Sequence, residues 1–106
     1  MSVYLSFSAT AILQAIANGY VYGFDIMDAT GLPSGTVYPA LRRMEDAGFI
    51  DSRWEEAAVA QRDARPPRKY YELTKPGRQA LAEAAARYRL PEPSSAHGRK
   101  PSRVRG

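Results

Sequence analysis

Between Ser34 and Gly48 the apolar residues Val37, Ala40, Leu41 and Met44 recur at three- and four-residue steps, and directly after Gly48 that period stops. One side of a helix over residues 34–47 must therefore be buried, and the residues beyond Gly48 cannot prolong it. Phe49, Ile50, Trp54 and Val59 lie in a stretch whose segment 49–56 has strand character. Residues 69–74, Lys-Tyr-Tyr-Glu-Leu-Thr, form a second strand rich in aromatics. Residues 57–67 between them are polar and basic and end in Pro66-Pro67, which predicts a long hairpin with an exposed, mobile tip.

Upstream, Phe7, Ala11, Ile12, Ala15 and Ile16 predict an amphipathic helix over residues 7–18, closed by Gly19. A short helix over residues 22–29 buries Ile26 and Met27, and residues 31–35 make a turn. Downstream, Thr74 is a capping residue, Pro76 suits a first helical turn, and an alanine-rich run reaches Leu90 before Pro91 and Pro93. The order helix, helix, helix, strand, strand, helix is mainly α with a two-stranded β-ribbon, the layout of a winged helix-turn-helix. Residues 1–74 are expected to be the winged-helix domain and 75–90 a C-terminal dimerisation helix. Residues 91–106, with almost nothing apolar, are expected to be a disordered basic tail.

A chain of 106 residues has room for one such domain and not two. A domain of this size buries only roughly two-thirds of its unfolded surface and is often helped by a partner subunit. The net charge of +4 is unevenly spread: residues 1–50 carry −2, residues 51–90 carry +3 and residues 91–106 another +3. The positive field belongs to the second half, which suits a polyanionic partner.

Several classes of chemistry find no residues to carry them. There is no cysteine, so disulfides, thiolate metal sites and thiol nucleophiles are excluded. The one histidine, His97, lies in the expected tail, where nothing would orient it as a base. Asp25 and Asp28 are an acidic pair without further ligands, so neither metal nor cofactor is expected, and the chain does not read as an enzyme. Residues 9–17, interrupted by Thr10 and Gln14, are too short and polar to cross a bilayer. Met1-Ser2-Val3-Tyr4 lacks the basic region of a secretory signal. A soluble, cytoplasmic protein with no membrane partner is the expectation.

On the third helix Gly35, Pro39, Arg42 and Asp46 lie opposite the apolar stripe, flanked by Thr36, Tyr38 and Arg43. This outer side is slender at its start and basic further on, which suits entry into a DNA major groove about 12 Å wide. Ser34 and Thr36 hydroxyls, or free N–H groups at the helix start, can take a phosphate oxygen. Arg42 and Arg43 can reach phosphates or guanine edges; two adjacent arginines can equally do no more than solvate a helix. Pro39 sits in the first turn if the helix begins at Thr36, and removes one backbone bond if it begins at Ser34. The hairpin cations Arg62, Arg65, Arg68 and Lys69 suit phosphate clamps, the alternative being a solubilising loop. Trp54 either borders a site for a small aromatic ligand or anchors the ribbon to the core.

Three stretches carry a resemblance. Tyr22-Gly23-Phe24-Asp25-Ile26, the run from Gly35-Thr36-Val37-Tyr38-Pro39-Ala40-Leu41 to Gly48-Phe49-Ile50, and Arg68-Lys69-Tyr70-Tyr71-Glu72-Leu73-Thr74-Lys75-Pro76-Gly77 closely resemble the PadR family of transcriptional regulators. The resemblance covers residues 5–85 and, lacking an extended C-terminal domain, points to the short subgroup with a single C-terminal helix. It implies a winged-helix repressor, dimeric through its terminal helices and released from its operator by small aromatic compounds. It also implies that Ser34, Thr36, Tyr38, Pro39 and Arg42 face DNA from the recognition helix, and Arg65, Arg68 and Lys69 from the wing.

The expected partners are thus double-stranded DNA, a second copy of the chain and a small aromatic ligand. A twofold dimer on a palindromic operator is expected, because one module of this size contacts few base pairs. Leu5, Phe7, Leu13, Leu81, Ala84, Ala85 and Tyr88 are its expected interface, with packing inside one chain the alternative for Leu81 and Tyr88. The competing reading is a winged-helix protein-interaction module in which the basic ribbon is incidental.

Overall fold

A computed structural model describes residues 5–90, so the expected tail over 91–106 lies outside the described residues. Helix α1 (Phe7–Ala17) begins where the Ser6 hydroxyl accepts a hydrogen bond from the Ala9 N–H at 3.0 Å. Thr10 is wholly buried, and its hydroxyl donates to the Ser6 carbonyl at 2.8 Å, so its polar atom is satisfied. Helix α2 (Gly23–Thr30) buries Ile26 and ends on Gly31, whose φ of 74° is a left-handed value that glycine adopts without strain. Helix α3 (Ser34–Asp46) comes directly after and buries Val37, Ala40, Leu41 and Met44, the stripe that the period predicts.

Strands β1 (Ile50–Trp54) and β2 (Lys69–Leu73) pair antiparallel, in a register running from Ile50 opposite Leu73 to Trp54 opposite Lys69. The α1–α2 link lies along the far side of β2: the Tyr71 N–H donates to the Val21 carbonyl at 3.0 Å, and Tyr22 bridges to Tyr70. The ribbon is thereby tied to the helical layer along its inner edge.

Between the strands the structure departs from the expected mobile loop. Residues Ala57–Arg62 form a short helix, α4, and Ala60 is buried under it. The segment Ala-Ala-Val-Ala-Gln-Arg is made mostly of good helix formers. Its turns are closed by Val59 and Ala60 N–H groups donating to the Glu56 carbonyl, and by Arg65 N–H donating to Ala60 at 3.1 Å.

Helix α5 (Lys75–Tyr88) is held at its start by Thr74, whose N–H donates to the Phe49 carbonyl at 3.0 Å and whose hydroxyl donates to that of Gly48 at 2.6 Å. The same hydroxyl accepts from the Gly77 N–H at 3.0 Å and so caps the helix. Gly77 lies so close to Phe49 that a Cβ would overlap the Phe49 carbonyl oxygen and come within 2.9 Å of its carbon.

The core gathers Ile12, Leu13 and Ile16 of α1 with Ile26, Val37, Leu41, Ile50, Tyr71 and Leu81. This corrects the expected interface. Leu5, Leu13, Leu81, Ala84 and Ala85 are all buried within one chain, so their side chains are not a surface that a second copy could cover. Tyr88 also packs at home: its hydroxyl donates to the Leu5 carbonyl at 2.8 Å, and its ring meets Phe7 edge-on at 5.4 Å. Phe7 itself remains 55% exposed. No helix among the described residues is long and apolar enough to cross a membrane.

Two glycines give opposite expectations. Gly77→Ala should destabilise the fold by about 1–3 kcal/mol, the usual cost of overpacking, because the obstruction is backbone. Gly35→Ala meets nothing within 4 Å and should be neutral or stabilising by up to about 1 kcal/mol. Urea unfolding monitored by far-UV circular dichroism compares the two midpoints directly.

Candidate nucleic-acid interface

Helix α3 is preceded by Pro33, which supplies no side-chain cap; its first backbone bonds run from Thr36 and Val37 N–H groups to the Pro33 carbonyl. Because the helix starts at Ser34, Pro39 stands in its second turn and offers no N–H to the Gly35 carbonyl. The outer side carries Ser34, Gly35, Tyr38, Pro39, Arg42 and Arg43, all exposed, with Thr36 half-buried beside them. None of the core's aliphatic side chains covers it, because Val37, Ala40, Leu41 and Met44 all turn inward.

This outer side forms one wall of an open groove of about 620 Å³. Tyr38, Arg42 and Glu45 come from α3, Trp54, Arg68, Lys69 and Tyr71 from the ribbon, and Tyr22, Gly23, Phe24 and Asp25 from the start of α2. Three cations thus face two carboxylates. Glu45 is held by the Ser52 hydroxyl, which donates to its Oε2 at 2.7 Å. Burial pushes the Tyr71 hydroxyl above its usual range; neighbouring Tyr38 and Glu45 add to this and Arg42 opposes it. The phenol at the base of the groove therefore stays neutral.

Aromatic rings organise the cations. Lys69 Nζ stands 5.7 Å from the centre of the Trp54 ring, and Arg68 Cζ stands 5.0 Å from that of Tyr22. Such contacts at exposed sites are worth about 0.5–1 kcal/mol each, enough to bias a long side chain without immobilising it. Trp54 is 64% exposed, so the alternative of a core anchor does not hold for it. Phe24, at 72%, is more exposed still.

Arg65 requires a correction. It is expected from the sequence to meet DNA, but its guanidinium donates twice to Glu55, at 2.6 and 2.9 Å, and once to Asp63 at 3.1 Å. Glu55 also accepts from the Arg68 N–H at 3.2 Å, and its own N–H donates to the Arg68 carbonyl at 2.8 Å. A bidentate pair continued by backbone bonds is stronger than the usual surface ion pair. Arg65 therefore holds the hairpin tip in shape, and its charge is answered within it. Arg53 is likewise met by Glu72, at 3.4 Å.

The structure thus brings together Tyr38, Arg42, Trp54, Arg68 and Lys69 around one groove. It leaves Ser34, Thr36, Pro39 and Arg43 along the open side of α3, and takes Arg65 into the tip. Sequence reasoning does not pick out Tyr22, Phe24 or Glu55. Phe24 carries a signal, being a large apolar residue two positions off the Ile26 stripe; Glu55 carries none, since its partner lies ten residues on.

A family model described as the transcriptional regulator PadR-like family matches residues 12–83. No curated protein matches the chain. Among solved structures, a PadR family transcription regulator from Clostridium difficile R20291 is 28% identical, with a TM-score of 0.68 over 79% of this chain and 88% of that one. A PadR-like transcription factor from Bacteroides fragilis is also 28% identical, with a TM-score of 0.64 over 76% of this chain and 79% of that one. Bacillus subtilis PadR, solved in complex with operator DNA, shares the fold at 22% identity and a TM-score of 0.63, over 97% of this chain and 55% of that one.

The Glu55–Arg65 pair predicts a pH dependence. Arg65 and the Arg68 N–H lower the Glu55 carboxyl from 4.5 to about 2. A carboxylate lowered on folding stabilises the fold above its unfolded value, and that contribution disappears as the pH falls through the folded one. The hairpin tip should therefore keep its shape from neutral pH down to about 4 and lose it towards 2. A carbon-13 carboxyl titration should place Glu55 near 2 in the native chain and return it towards 4.5 in Arg65→Ala.

Proposed function

The chain belongs to the PadR-like family of transcriptional regulators, and on that premise we propose that it binds double-stranded DNA sequence-specifically, as a homodimeric repressor on a palindromic operator. The observation that carries this reading is the outer side of α3. It is slender where it starts, cationic further along, left open by the chain's own apolar residues, and on the same side as the ribbon's Arg68 and Lys69. A helix shaped in this way fits a major groove, while flanking cations meet the phosphates beside it. The operator complex of Bacillus subtilis PadR supports it by likeness of fold.

In this reading Ser34 and Thr36 contact phosphate oxygens at the uncapped start of α3. Tyr38, Pro39 and Arg42 face the bases, and Arg43, Arg68 and Lys69 meet the backbone. The second copy packs beside the exposed Phe7, the most open of the expected interface residues, with the half-buried Tyr88 next to it. A small aromatic effector would release the DNA, and the open ring of Trp54 is its candidate contact. The protein would act in the cytoplasm. A protein-interaction module is the competing reading, favoured by the exposure of Phe24 and Trp54.

Titration with a duplex enriched from a random-sequence pool tests these alternatives. Bound duplex should quench the fluorescence of Trp54, the sole tryptophan, and log affinity should fall linearly with log salt at about 0.9 per phosphate neutralised. Failure to enrich any sequence, with no salt-linked binding, would favour the protein-interaction module. Arg42→Ala should cost about 1–3 kcal/mol and relax preference at one position in each half-site. Lys69→Ala should weaken all sequences alike and flatten the salt slope. Phe7→Asp should turn the dimer into a monomer in sedimentation velocity.

A further inference from the structure

We propose that Gly23 is a positioning residue for the recognition helix: by having no side chain it gives the Tyr38 ring a seat on α2 and sets the direction in which that ring meets DNA. The role, though not the seat, rests on the DNA-binding reading above.

Gly23 is buried at the first position of α2, and its φ is not among the positive values that demand glycine, unlike Gly19, Gly31 and Gly48. Backbone conformation therefore does not explain the residue. Space does. A Cβ built on Gly23 would overlap the Tyr38 hydroxyl and come within 2.7 Å of Cε1 and Cζ of the same ring. All three nearest atoms belong to Tyr38 and none to backbone.

Tyr38 itself is 41% exposed on the outer side of α3, and it lines the groove beside Arg42. One part of the ring is thus held by α2 while the rest faces out. A tyrosine projecting freely from a helix surface would have to be ordered on binding, at a cost that corresponds to roughly two- to tenfold in affinity per immobilised side chain. Seating the ring beforehand removes that cost and fixes where the hydroxyl lies relative to Arg42.

The obstruction falls on the far end of a side chain that has solvent beside it. Gly23→Ala should accordingly swing Tyr38 outward and leave the fold standing. This separates Gly23 from Gly77, whose Cβ would run into backbone.

The test is a double-mutant cycle on duplex enriched by the wild-type protein, using Gly23→Ala, Tyr38→Ala and the two together, with the melting temperature of each. Gly23→Ala alone should weaken binding by roughly three- to tenfold, at a melting temperature close to wild type. Added to Tyr38→Ala, it should change affinity less than twofold. Wild-type affinity in Gly23→Ala, or additive losses in the double variant, would overturn the proposal. If Gly23→Ala does not fold, a folded double variant supports the seat, and an unfolded one overturns it, because glycine would then be required by something other than Tyr38. A nuclear Overhauser contact between Gly23 Hα and the Tyr38 ring, lost in Gly23→Ala, reads the seat without DNA. If the wild-type protein enriches no duplex, the DNA-binding reading and the proposed role both fail, and the Overhauser contact still shows whether the seat exists.

Discussion

The direction in which α3 presents its outer side is fixed by what its inner side buries. Val37, Ala40, Leu41 and Met44 are shut against α1 and the start of the ribbon, and Val37 and Leu41 are among the most completely buried of the described side chains. Turning the helix by one residue, about 100°, so that Val37 and Leu41 took the exposed places of Tyr38 and Arg42, would press Arg43 into the buried place of Met44. Each large aliphatic exposed loses about 1.5–3 kcal/mol. A small domain is stable by only about 5–15 kcal/mol in total, so a misoriented α3 is not a tolerable variant of this fold. The surface that faces out is therefore determined by the residues that face in.

That determination explains what could be read from the sequence. Helices α1, α2, α3 and α5 were legible because each has apolar residues at helical spacing or a cap in the right place, and the ribbon because the period changes at Gly48. The outer side of α3 was legible for the same reason, as the complement of the inner stripe. Helix α4 was not, because six residues are too few for a period to emerge. Its stability comes instead from tertiary contacts, the burial of Ala60 and the Glu55–Arg65 pair. Arg65 was misread because a sequence displays charges but not their partners, and Glu55 comes opposite only once the hairpin has closed. Most of the expected interface residues turn out to be buried within one chain for a different reason. Leu13, Leu81, Ala84 and Ala85 were rightly seen as an apolar set, but spacing does not say which surface covers it, and a chain of this size needs them for its own core. Trp54 shares a strand face with Ile50 and Ser52 by alternation, but burial fades from Ile50 to Trp54, where the ribbon runs out beyond the core.

Charge is distributed with the same economy. Arg53 and Arg65 are answered by Glu72, Glu55 and Asp63, and they shape the ribbon and its tip. Arg68 and Lys69 instead rest over aromatic faces that leave their charges open to solvent. The ribbon therefore offers an approaching polyanion fewer cations than its composition suggests, and those it offers are biased towards the groove. Recognition by such a surface depends more on the fit of α3 than on a strong general field.

The start of α3 is where the fold gives up local stability. Helices α1 and α5 are capped by the hydroxyls of Ser6 and Thr74, whereas α3, like α2 and α4, has no side-chain cap, and among the described helices it alone also carries an interior proline. A missing cap costs a helix about 0.5–2 kcal/mol, a glycine such as Gly35 about 0.5–1, and an interior proline such as Pro39 about 3 or more. None of these residues contributes to the core, and all lie on or beside the exposed side. Locally poor helix-forming chemistry is sustainable here only because the inner stripe holds the segment helical regardless. The same three features make the outer side narrow, leave its first N–H groups free of a side-chain acceptor, and remove side-chain bulk from the side that the proposed reading turns towards DNA. A conflict between local preference and global fold is expected at functional sites, and in this chain it falls on the surface that the core has already turned outward.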